Sequence, residues 1–459
     1  MVQVPNGYTV VVGLGLSGQA ICRHLTQLGR PFMVADTREK PPGLETFHQA
    51  YPDITVHCGP LTALDVSQAH EVVLSPGVDP RTPGLEGLLE RHNPATGEPV
   101  LVGEIALFKR AVKAPIAAIT GSNAKSTVTT LLGEMAAAAG VNAAVGGNLG
   151  TPALDLLSLH PDADLYILEL SSFQLETTPY LGAASVAFLN LCDDHLDRHG
   201  DLDGYRQAKQ RIFIGAEHAV VNVDDPQTWP VQPLKRIERF GVSATHDAEW
   251  RLTERHGRWW LMQGSTPWQA ADELRIAGQH NYANALAALA MGRALGFDQI
   301  SMCRALTAFS GLPHRSETIA ELHGVRWIND SKGTNVGATL AAINGIGPTL
   351  EGRLILLAGG VGKGADFSVL AAPLAKYSRA AIVFGVDAPQ LAKALEGALP
   401  IEHVSHLTQA MEVAFAMAAP GDCVLLSPAC ASLDQFANYQ ARGDAFRHWV
   451  EQKSSEIMP

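Results

Sequence analysis

A short apolar strand, a polar loop and an Ala-rich helix follow one another in this chain and strongly constrain its fold. The strand runs from Pro115 to Ile119, residues 120–127 read Thr-Gly-Ser-Asn-Ala-Lys-Ser-Thr, and the helix spans Val128 to Ala139. Backbone N–H groups at the N-terminus of such a helix point at an anion, a lysine adds charge, and a hydroxyl can hold Mg²⁺. The pattern therefore predicts a phosphate-binding loop in an α/β domain.

The loop departs from the usual pattern at one position. Ala124 stands where glycine is expected before the Lys-Ser pair. A glycine in this turn often has a positive φ, which costs an L-residue on the order of 1 kcal/mol. Ala124 is therefore expected to weaken the use of a nucleoside triphosphate without changing the kind of site. The candidate ATP contacts in the loop are Gly121, Ser122, Asn123, Ala124, Lys125, Ser126 and Thr127.

Length, charge and cysteine use limit the class of protein. A chain of 459 residues is too long for one core and predicts about three domains. The net charge of −12 argues against a general nucleic-acid binder. The six cysteines lie far apart and are typical of reduced thiols, and no apolar run approaches the length of a membrane span. We therefore expect a cytoplasmic protein without membrane insertion.

Strand-like and helix-like segments alternate along the whole chain and predict three α/β domains. We expect a Rossmann-like N-terminal domain over 1–103, a central P-loop domain with a mostly parallel sheet over 104–311, and a Rossmann-like C-terminal domain over 312–459. The segment from Trp250 to Trp268 is typical of a hairpin excursion. Polar residues follow strand ends in all three domains, and ligands bind at that edge of open α/β sheets.

A second glycine motif allows a different interpretation. Gly13, Gly15 and Gly18 follow the first strand, and Asp36 ends the next strand, as in the dinucleotide-binding fingerprint. Taken alone, this motif predicts an NAD-binding oxidoreductase. It establishes only that a phosphate can approach the backbone, and the loop at 120–127 favours a nucleoside triphosphate instead.

Ten motifs in a fixed order resemble one family of enzymes. They are Gly13-Leu-Gly-Leu-Ser-Gly18, 120–127, Glu169-Leu-Ser-Ser-Phe-Gln174, Asp194-His195-Leu-Asp197, Tyr205-Arg-Gln-Ala-Lys209, Gly278-Gln-His-Asn281-Tyr-Ala-Asn284, His314-Arg315, Asn329-Asp330-Ser-Lys332, Gly359-Gly-Val-Gly-Lys363 and Ser427-Pro-Ala-Cys-Ala-Ser432. Over residues 8–448 the chain resembles the Mur ligases of peptidoglycan synthesis, and in particular their D-glutamate-adding members. The alternatives are another Mur ligase or a folylpolyglutamate synthetase-like ligase.

The resemblance implies an ATP-dependent amide ligation. ATP would phosphorylate the carboxylate of UDP-N-acetylmuramoyl-L-alanine, and the amine of D-glutamate would attack the acyl phosphate through a tetrahedral intermediate. The implied catalytic residues are Lys125, Glu169, His195 and a carbamylated Lys209. The implied ligands of two Mg²⁺ ions are Ser126, Thr127, Glu169, His195 and the Lys209 carbamate. From the sequence alone, Lys209 is more typical of a solvated helix lysine.

The resemblance also assigns residues to the three substrates. The further ATP contacts are Asn281, Asn284, Arg315 and Asp330. The contacts to the UDP substrate are Leu16, Ser17, Asp36, Thr37, Arg38, Ser75, Gly77 and Asn148. The contacts to D-glutamate are Lys332, Thr334, Lys363, Ser432 and Tyr439. No macromolecular partner is implied, and a monomer is expected.

Overall fold

The computed structural model describes residues 2–94, 97–243, 247–276 and 278–457. Residue 1, at the start of the predicted first domain, and residues 458–459, at the end of the predicted third domain, lie outside the described residues. Three extended sheets follow one another along the chain, and each is covered by helices. The expectation of an α/β protein with mostly parallel sheets is confirmed. No helix among the described residues is long and apolar enough to span a membrane.

The first sheet is entirely parallel. Its strands in spatial order are Val56–Cys58, Phe32–Asp36, Thr9–Val12, Glu71–Leu74 and Leu101–Gly103. All residues of the three middle strands are buried, as expected for a parallel sheet with both faces covered. Two short strands, Val2–Gln3 and Leu64–Asp65, pair separately. The strand order changes direction beside Thr9–Val12, and such a switch point forms a crevice for ligands.

The central sheet has nine strands. In spatial order they are Thr266–Ala270, Arg258–Gln263, Trp250–Arg255, Ile237–Gly241, Ala219–Asn222, Ser185–Phe188, Ile116–Thr120, Leu165–Glu169 and Ala143–Gly147. Only the pairings within the three strands between Trp250 and Ala270 are antiparallel. The predicted hairpin is present, since Trp250–Arg255 pairs antiparallel with Arg258–Gln263, and it continues the main sheet because Trp250–Arg255 also pairs in parallel with Ile237–Gly241. Trp250 is fully buried beneath it.

The third sheet has six strands with one antiparallel edge. In spatial order they are Glu317–Leu322, Val325–Asn329, Cys423–Leu426, Leu354–Gly359, Ser378–Phe384 and Ile401–His403. The first two form a hairpin, and the other neighbours are parallel. The carboxyl ends of Val325–Asn329 and Cys423–Leu426 therefore lie side by side. This edge carries Asp330 and Ser427.

Helices cover the sheets and connect their strands. The α-helices are Leu16–Gln27, Leu44–Ala50, Glu104–Ala111, Lys125–Ala138, Ala153–Leu159, Ser172–Glu176, Leu196–His199, Leu202–Gln210, Gln279–Ala294, Gln299–Ala308, Val336–Ile346, Ala371–Tyr377, Ala388–Leu395, Leu407–Met417 and Tyr439–Ile457. Short 3₁₀ turns are Leu61–Ala63, Arg211–Phe213, Pro226–Thr228, Ala271–Glu273, Gly347–Thr349 and Ser368–Leu370.

The first and second sheets share one hydrophobic core. Ile105 and Phe108 of the helix Glu104–Ala111 are fully buried in a cluster that also contains Ile21 of the first region and Phe188 of the second. Two clusters fill the space around the third sheet. The predicted boundary at residue 103 thus falls between two elements that pack in the same core, and the domain limits stay a prediction.

Candidate functional site

Three cavities lie along the edges where the parallel strands end. The N-terminal cavity, of about 560 Å³, lies between the first sheet and the loop 147–152. The middle cavity, of about 360 Å³, surrounds the phosphate loop and His195. The C-terminal cavity, of about 320 Å³, lies between the helices Gln279–Ala294 and Val336–Ile346. Neighbouring cavities share wall residues, because Gly77 and Asn148 line the first two and Arg315 lines the last two.

The structure gathers all eight predicted UDP-substrate residues around the N-terminal cavity. Asp36 is buried, and its carboxylate accepts hydrogen bonds from the Leu14 N–H (2.8 Å) and from the Arg38 backbone and guanidinium. Both carboxylate oxygens are thus engaged within the protein. Asp36 holds the glycine turn and orients Arg38, whose side chain is half exposed and bonds the carboxylate through Nε and Nη2.

The glycine turn of this cavity requires its glycines. Gly13 has a φ of 95°, and a Cβ at Gly18 would lie 1.8 Å from the carbonyl oxygen of Gly13. Only glycine allows the helix Leu16–Gln27 to begin this close to the strand. Ser75 also donates a hydrogen bond to the Gly13 carbonyl at 3.0 Å. The turn is therefore held in a shape that lets a ligand approach its backbone.

The phosphate loop has the predicted geometry. Ala124 adopts a left-handed conformation with a φ of 65° directly before the helix Lys125–Ala138. The Lys125 Nζ donates hydrogen bonds to the carbonyls of Gly121 (2.8 Å) and Ser122 (2.9 Å). Burial lowers the pKa of Lys125, and the carboxylate of Glu169 acts in the opposite direction. The lysine is thus held beneath the loop, close to where an anion on the loop amides would bind.

Replacement of Ala124 by glycine is expected to raise kcat/KM for ATP about fivefold, equivalent to about 1 kcal/mol. The reason is that Ala124 lines both the middle and the C-terminal cavity while occupying a backbone conformation that favours glycine. Steady-state phosphate release measures the effect. Ala136→Gly, in the interior of the same helix, serves as a control that adds flexibility without relieving a positive φ. An unchanged or lower kcat/KM in Ala124→Gly would contradict the strain argument.

Glu169 carries an unpartnered buried oxygen in the wall of the middle cavity. Its Oε1 accepts a hydrogen bond from the Asn148 side chain at 2.7 Å, whereas its Oε2 is buried without a hydrogen-bond partner. Burial alone raises the pKa of Glu169, but the Lys125 charge and the hydrogen bond from Asn148 outweigh it, and the pKa lies below its ordinary value. An ionised carboxylate with a free oxygen is suited to a cation.

His195 lies in the same cavity in a left-handed turn. Its φ is 55°, and its Nε2 lies 3.7 Å from an oxygen of Asp194. The imidazole stands edge-on to the Phe173 ring at 4.8 Å between centroids. Burial lowers the pKa of His195, although Asp194 acts in the opposite direction. The neutral imidazole favoured in this way is the form that can bind a metal.

Lys209 is buried and is not the solvated helix residue that the sequence alone favoured. It lies on the helix Leu202–Gln210 with 1 % exposure, and its Nζ donates a hydrogen bond to the Gly121 carbonyl at 2.8 Å. The amine lies 4.5 Å from the centroid of the Tyr205 ring. Burial and the nearby Lys125 charge lower the pKa of Lys209 well below its ordinary value. The amine is thus favoured in its neutral form, directly beneath the phosphate loop.

The predicted ATP contacts outside the loop line the C-terminal cavity. Asn281, Asn284, Arg315 and Asp330 all belong to its wall. Asn284 is buried rather than exposed on the helix surface, and it donates a hydrogen bond to the Asn281 side chain at 3.4 Å. Arg315 donates to the Ser126 hydroxyl at 2.8 Å, which joins the C-terminal domain to the phosphate loop. Burial raises the pKa of Asp330 to about 6.

Four of the five predicted D-glutamate contacts lie together. Lys332 and Thr334 line the middle cavity. The Lys332 amine lies 3.8 Å from the Tyr439 ring centroid, and burial together with the Arg315 and Lys125 charges lowers the pKa of Lys332 to about 8. Lys363 pairs with Asp194 at 3.2 Å beside a small cavity that Thr334 also lines. Ser432 is buried and does not belong to the wall of any cavity described above.

Sequence reasoning missed several wall residues. Asp194 and Tyr205 line the middle cavity although only their motif neighbours were singled out, and Asn335 joins them from the third domain. The position of Asp194 directly before His195 was a signal that could have identified it as a site residue. The apolar walls of the C-terminal cavity are Leu189, Phe240 and Val242, which lie in or directly after strands and carried no local signal of a binding site.

The residues of the middle cavity could hold a magnesium ion only if a bound ligand supplied further coordinating atoms. Among the described residues no three histidine, cysteine, aspartate or glutamate side chains converge in a group that could hold a metal by themselves. The free Glu169 oxygen, the Ser126 hydroxyl and the neutral His195 ring nevertheless supply donors in one cavity. Mg²⁺ commonly keeps few protein ligands and takes the rest from substrate phosphates and water.

Comparison with known proteins gives consistent matches along the chain. Family models match over residues 7–97 (Mur ligase MurD-like, N-terminal domain), 119–292 (Mur ligase middle domain) and 314–430 (Mur ligase, glutamate ligase domain). The UDP-N-acetylmuramoylalanine–D-glutamate ligase of Chromohalobacter salexigens is 63% identical over 450 residues, which covers 98% of both chains. The enzyme of that name from Pseudomonas aeruginosa is 49% identical over 97% of this chain and 98% of its own.

Solved structures with low sequence identity share the fold. A pseudomurein peptide ligase type C from Methanothermus fervidus has a TM-score of 0.63 at 18% identity and covers 97% of this chain and 100% of its own. The UDP-N-acetylmuramate-alanine ligase of Thermotoga maritima has a TM-score of 0.59 at 18% identity and covers 98% and 99%. These two likenesses concern the three-domain architecture.

Proposed function

The chain belongs to the Mur ligase family, and from that premise we propose that it joins D-glutamate to UDP-N-acetylmuramoyl-L-alanine with the cleavage of ATP. The observation that carries this proposal is the continuity of the three cavities. The phosphate loop and Lys209 lie in the middle cavity, between Gly77 and Asn148, which also line the N-terminal cavity, and Arg315, which also lines the C-terminal cavity. A substrate carboxylate from one side and a nucleotide from the other would therefore meet at the loop.

The first step is transfer of the γ-phosphoryl group to the substrate carboxylate. A carboxylate oxygen bonds to phosphorus while the bond to the leaving ADP breaks. The protein's part in such a transfer is positioning and neutralisation of charge. Lys125 and the loop amides would face the phosphates, and Arg315, which donates to the Ser126 hydroxyl, would add a second positive charge.

The second step is attack of the D-glutamate amine on the acyl phosphate. The nitrogen of the neutral amine bonds to the acyl carbon and releases one proton to solvent, and inorganic phosphate leaves from the tetrahedral intermediate. We propose that Lys332, Thr334 and Lys363 hold the two carboxylates of D-glutamate, which places its amine toward the middle cavity. Tyr439 packs on Lys332 and limits where its amine can point. Ser432 stays a proposed contact that would require a local rearrangement, since it is buried away from the cavities.

We propose that Glu169, His195, Ser126, Thr127 and a carbamylated Lys209 hold two Mg²⁺ ions beside the phosphates. Bound Mg²⁺ neutralises charge on the transferred phosphoryl group. A carbamate forms when a neutral amine bonds to the carbon of CO₂ and releases one proton. The lowered pKa of Lys209 supports this modification, and the carbamate would turn a buried amine into an anion under the phosphate loop.

The alternative functions have less support. In a dinucleotide site the acidic residue after the second strand bonds ribose. Here both Asp36 oxygens are engaged by Leu14 and Arg38, which argues against an NAD-binding oxidoreductase. The folylpolyglutamate synthases share the fold at 18–19% identity, but the eight residues predicted to contact UDP all line one cavity here, which favours a nucleotide-sugar substrate. We propose that the protein is a monomer in the cytoplasm, where its six free cysteines would stay reduced.

Phosphate release with defined substrates tests the proposed function. We expect turnover only when UDP-N-acetylmuramoyl-L-alanine, D-glutamate, ATP and Mg²⁺ are all present. L-glutamate and L-lysine replace D-glutamate, and free N-acetylmuramoyl-L-alanine replaces the UDP substrate, in matched reactions. Equal rates with L-lysine, or with the substrate that lacks UDP, would contradict the assignment.

Replacement of Arg38 by methionine is expected to raise KM for the UDP substrate about tenfold and to leave KM for D-glutamate unchanged. Arg38 is the half-exposed cation of the N-terminal cavity, and a charge-assisted hydrogen bond contributes about 1.5–3 kcal/mol. Steady-state kinetics with each substrate varied in turn measures both constants. Arg30→Met, an exposed arginine of the same domain, is the control. A parallel rise in both KM values would show that the effect is not local.

A further inference from the structure

Two asparagines form a reciprocal pair between the phosphate loop and the C-terminal domain. The Asn123 Nδ2 donates to the Asn335 Oδ1 at 3.2 Å, and the Asn335 Nδ2 donates to the Asn123 Oδ1 at 3.1 Å. The two residues are 212 positions apart in the chain, and Asn335 is buried. Each amide uses its donor and its acceptor at the same time, so both hydrogen bonds form only when the two domains lie in this relative position.

The Asn335 side chain has three further partners at the same point, one of which is the Cys192 Sγ, at 3.8 Å from Oδ1. Its Oδ1 accepts a hydrogen bond from the Ala338 N–H at 2.8 Å and so caps the helix Val336–Ile346. Its Nδ2 also donates to the Asp194 Oδ2 at 3.3 Å. Asp194 precedes His195, and its other oxygen pairs with Lys363 at 3.2 Å. One side chain of the C-terminal domain therefore contacts both the phosphate loop and the turn that carries His195.

The domains approach closely at this contact. A Cβ at Gly337 would lie 2.6 Å from the Cys192 Sγ and 3.6 Å from the Asn123 side chain. The first turn of the helix Val336–Ile346 can reach the central domain only because residue 337 has no side chain. Hydrogen bonding and shape thus act together at the same boundary.

We propose that Asn335 is a positioning residue which couples the seating of the C-terminal domain to the phosphate loop and to Asp194. This inference rests on the proposed function in that the loop is taken to bind the nucleotide phosphates. The Asn123 side-chain nitrogen has two partners here, the Asn335 oxygen and the Cys192 sulfur, which lies at 3.4 Å. Without the C-terminal domain in place, only the Cys192 sulfur is left. Asp194 would lose both Asn335 and Lys363. The catalytic cavity therefore takes its working geometry only when the amino-acid-binding domain is seated.

Variants at Asn335 separate this role from helix capping. Asn335→Ser retains an oxygen that can accept from the Ala338 N–H, since serine is a good N-cap, but it is too short for Asn123 and Asp194. Asn335→Ala loses both. We expect both variants to lower kcat at least tenfold, with thermal unfolding of the serine variant unchanged from the parent. Asn344→Ala, an exposed asparagine on the same helix, is the matched control and should retain full activity.

A double-mutant cycle tests the pairing itself. Asn123→Ala alone should lower kcat to a similar degree, and Asn123→Ala combined with Asn335→Ser should be no more than about twofold worse than the poorer single variant, because coupled residues are not additive. Losses that multiply would mean that the two residues act independently and would overturn the proposal. A serine variant as active as the parent would overturn the proposal too, because the helix cap that serine retains would then be sufficient for full activity.

Small-angle X-ray scattering supplies a readout that does not depend on ligation. With Mg²⁺ and a non-hydrolysable ATP analogue, the parent is expected to have a smaller radius of gyration than Asn335→Ser and Gly337→Ala. Equal radii for the parent and both variants would contradict the inference. If the parent fails to ligate D-glutamate, the proposed function is wrong, and this comparison still decides the role of Asn335.

Discussion

Replacement of Lys209 by alanine is expected to lower kcat at least a hundredfold, a loss of about 2.7 kcal/mol or more in transition-state stabilisation. Lys209 is buried, its amine lies 2.8 Å from the Gly121 carbonyl, and burial keeps its pKa well below the ordinary value. As a carbamate it would be an anion under the phosphate loop, and alanine removes that group entirely. Phosphate release in the presence of all substrates measures kcat, and circular dichroism checks that the fold is retained.

Chemical rescue distinguishes an anionic Lys209 from a cationic one. Formate added to Lys209→Ala should restore part of the rate if the residue works as a carbamate, whereas methylammonium should restore it if the residue works as a cation. Lys235→Ala, at an exposed lysine, is the control and should change the rate little, since exposed substitutions rarely alter free energies by more than about 0.5 kcal/mol. Activity of Lys209→Ala above half of the parent would contradict a role in the reaction.

Replacement of Glu169 by glutamine is expected to lower kcat a hundredfold or more. The change keeps the shape and an oxygen for the Asn148 amide, which lies 2.7 Å from Oε1, but it removes the charge and turns the free Oε2 position into a donor. A site suited to a cation then presents an N–H group to it. The apparent affinity for Mg²⁺, measured from the metal dependence of phosphate release, should fall together with kcat.

The matched control for this change is Glu134→Gln. Glu134 lies exposed on the helix Lys125–Ala138, which begins at the phosphate loop, so it shares the element that positions the loop without lining a cavity. We expect its kinetics to equal those of the parent. A Glu169→Gln variant that keeps its Mg²⁺ dependence but loses kcat would mean that the carboxylate acts on the substrate rather than on the metal.

Local sequence patterns were sufficient for the backbone of the site. The left-handed conformation of Ala124 follows from its place in a known turn, and the structure has a φ of 65° there. The close approach at Gly18 follows in the same way from the glycine spacing. Strands such as Thr9–Val12 were predictable because a fully buried parallel strand is a continuous apolar run. In each case the controlling interactions lie within a few residues along the chain.

The family and the order of its motifs could also be predicted from the sequence. Which side chains are buried, and which distant residues contact one another, could not. Lys209 and Asn284 lie on helices whose local sequences are typical of exposed positions, yet both are buried because neighbouring elements cover them. Asp194 meets Lys363, and Asn123 meets Asn335, across more than 160 residues of chain. The prediction that Ser432 faces the substrate found no support in the cavity walls, since its orientation depends on how the chain packs after Ser427.

The sequence by itself thus determined which backbone turns can bind phosphate and the kind of reaction that the chain supports. Those properties depend on φ angles, hydrogen-bond donors and charge that neighbouring residues supply. Only the tertiary structure decided which lysine is buried with a lowered pKa, which carboxylate keeps a free oxygen, and which asparagine joins two domains. Desolvation and contacts between distant residues control those properties, and both arise when the three sheets pack against one another.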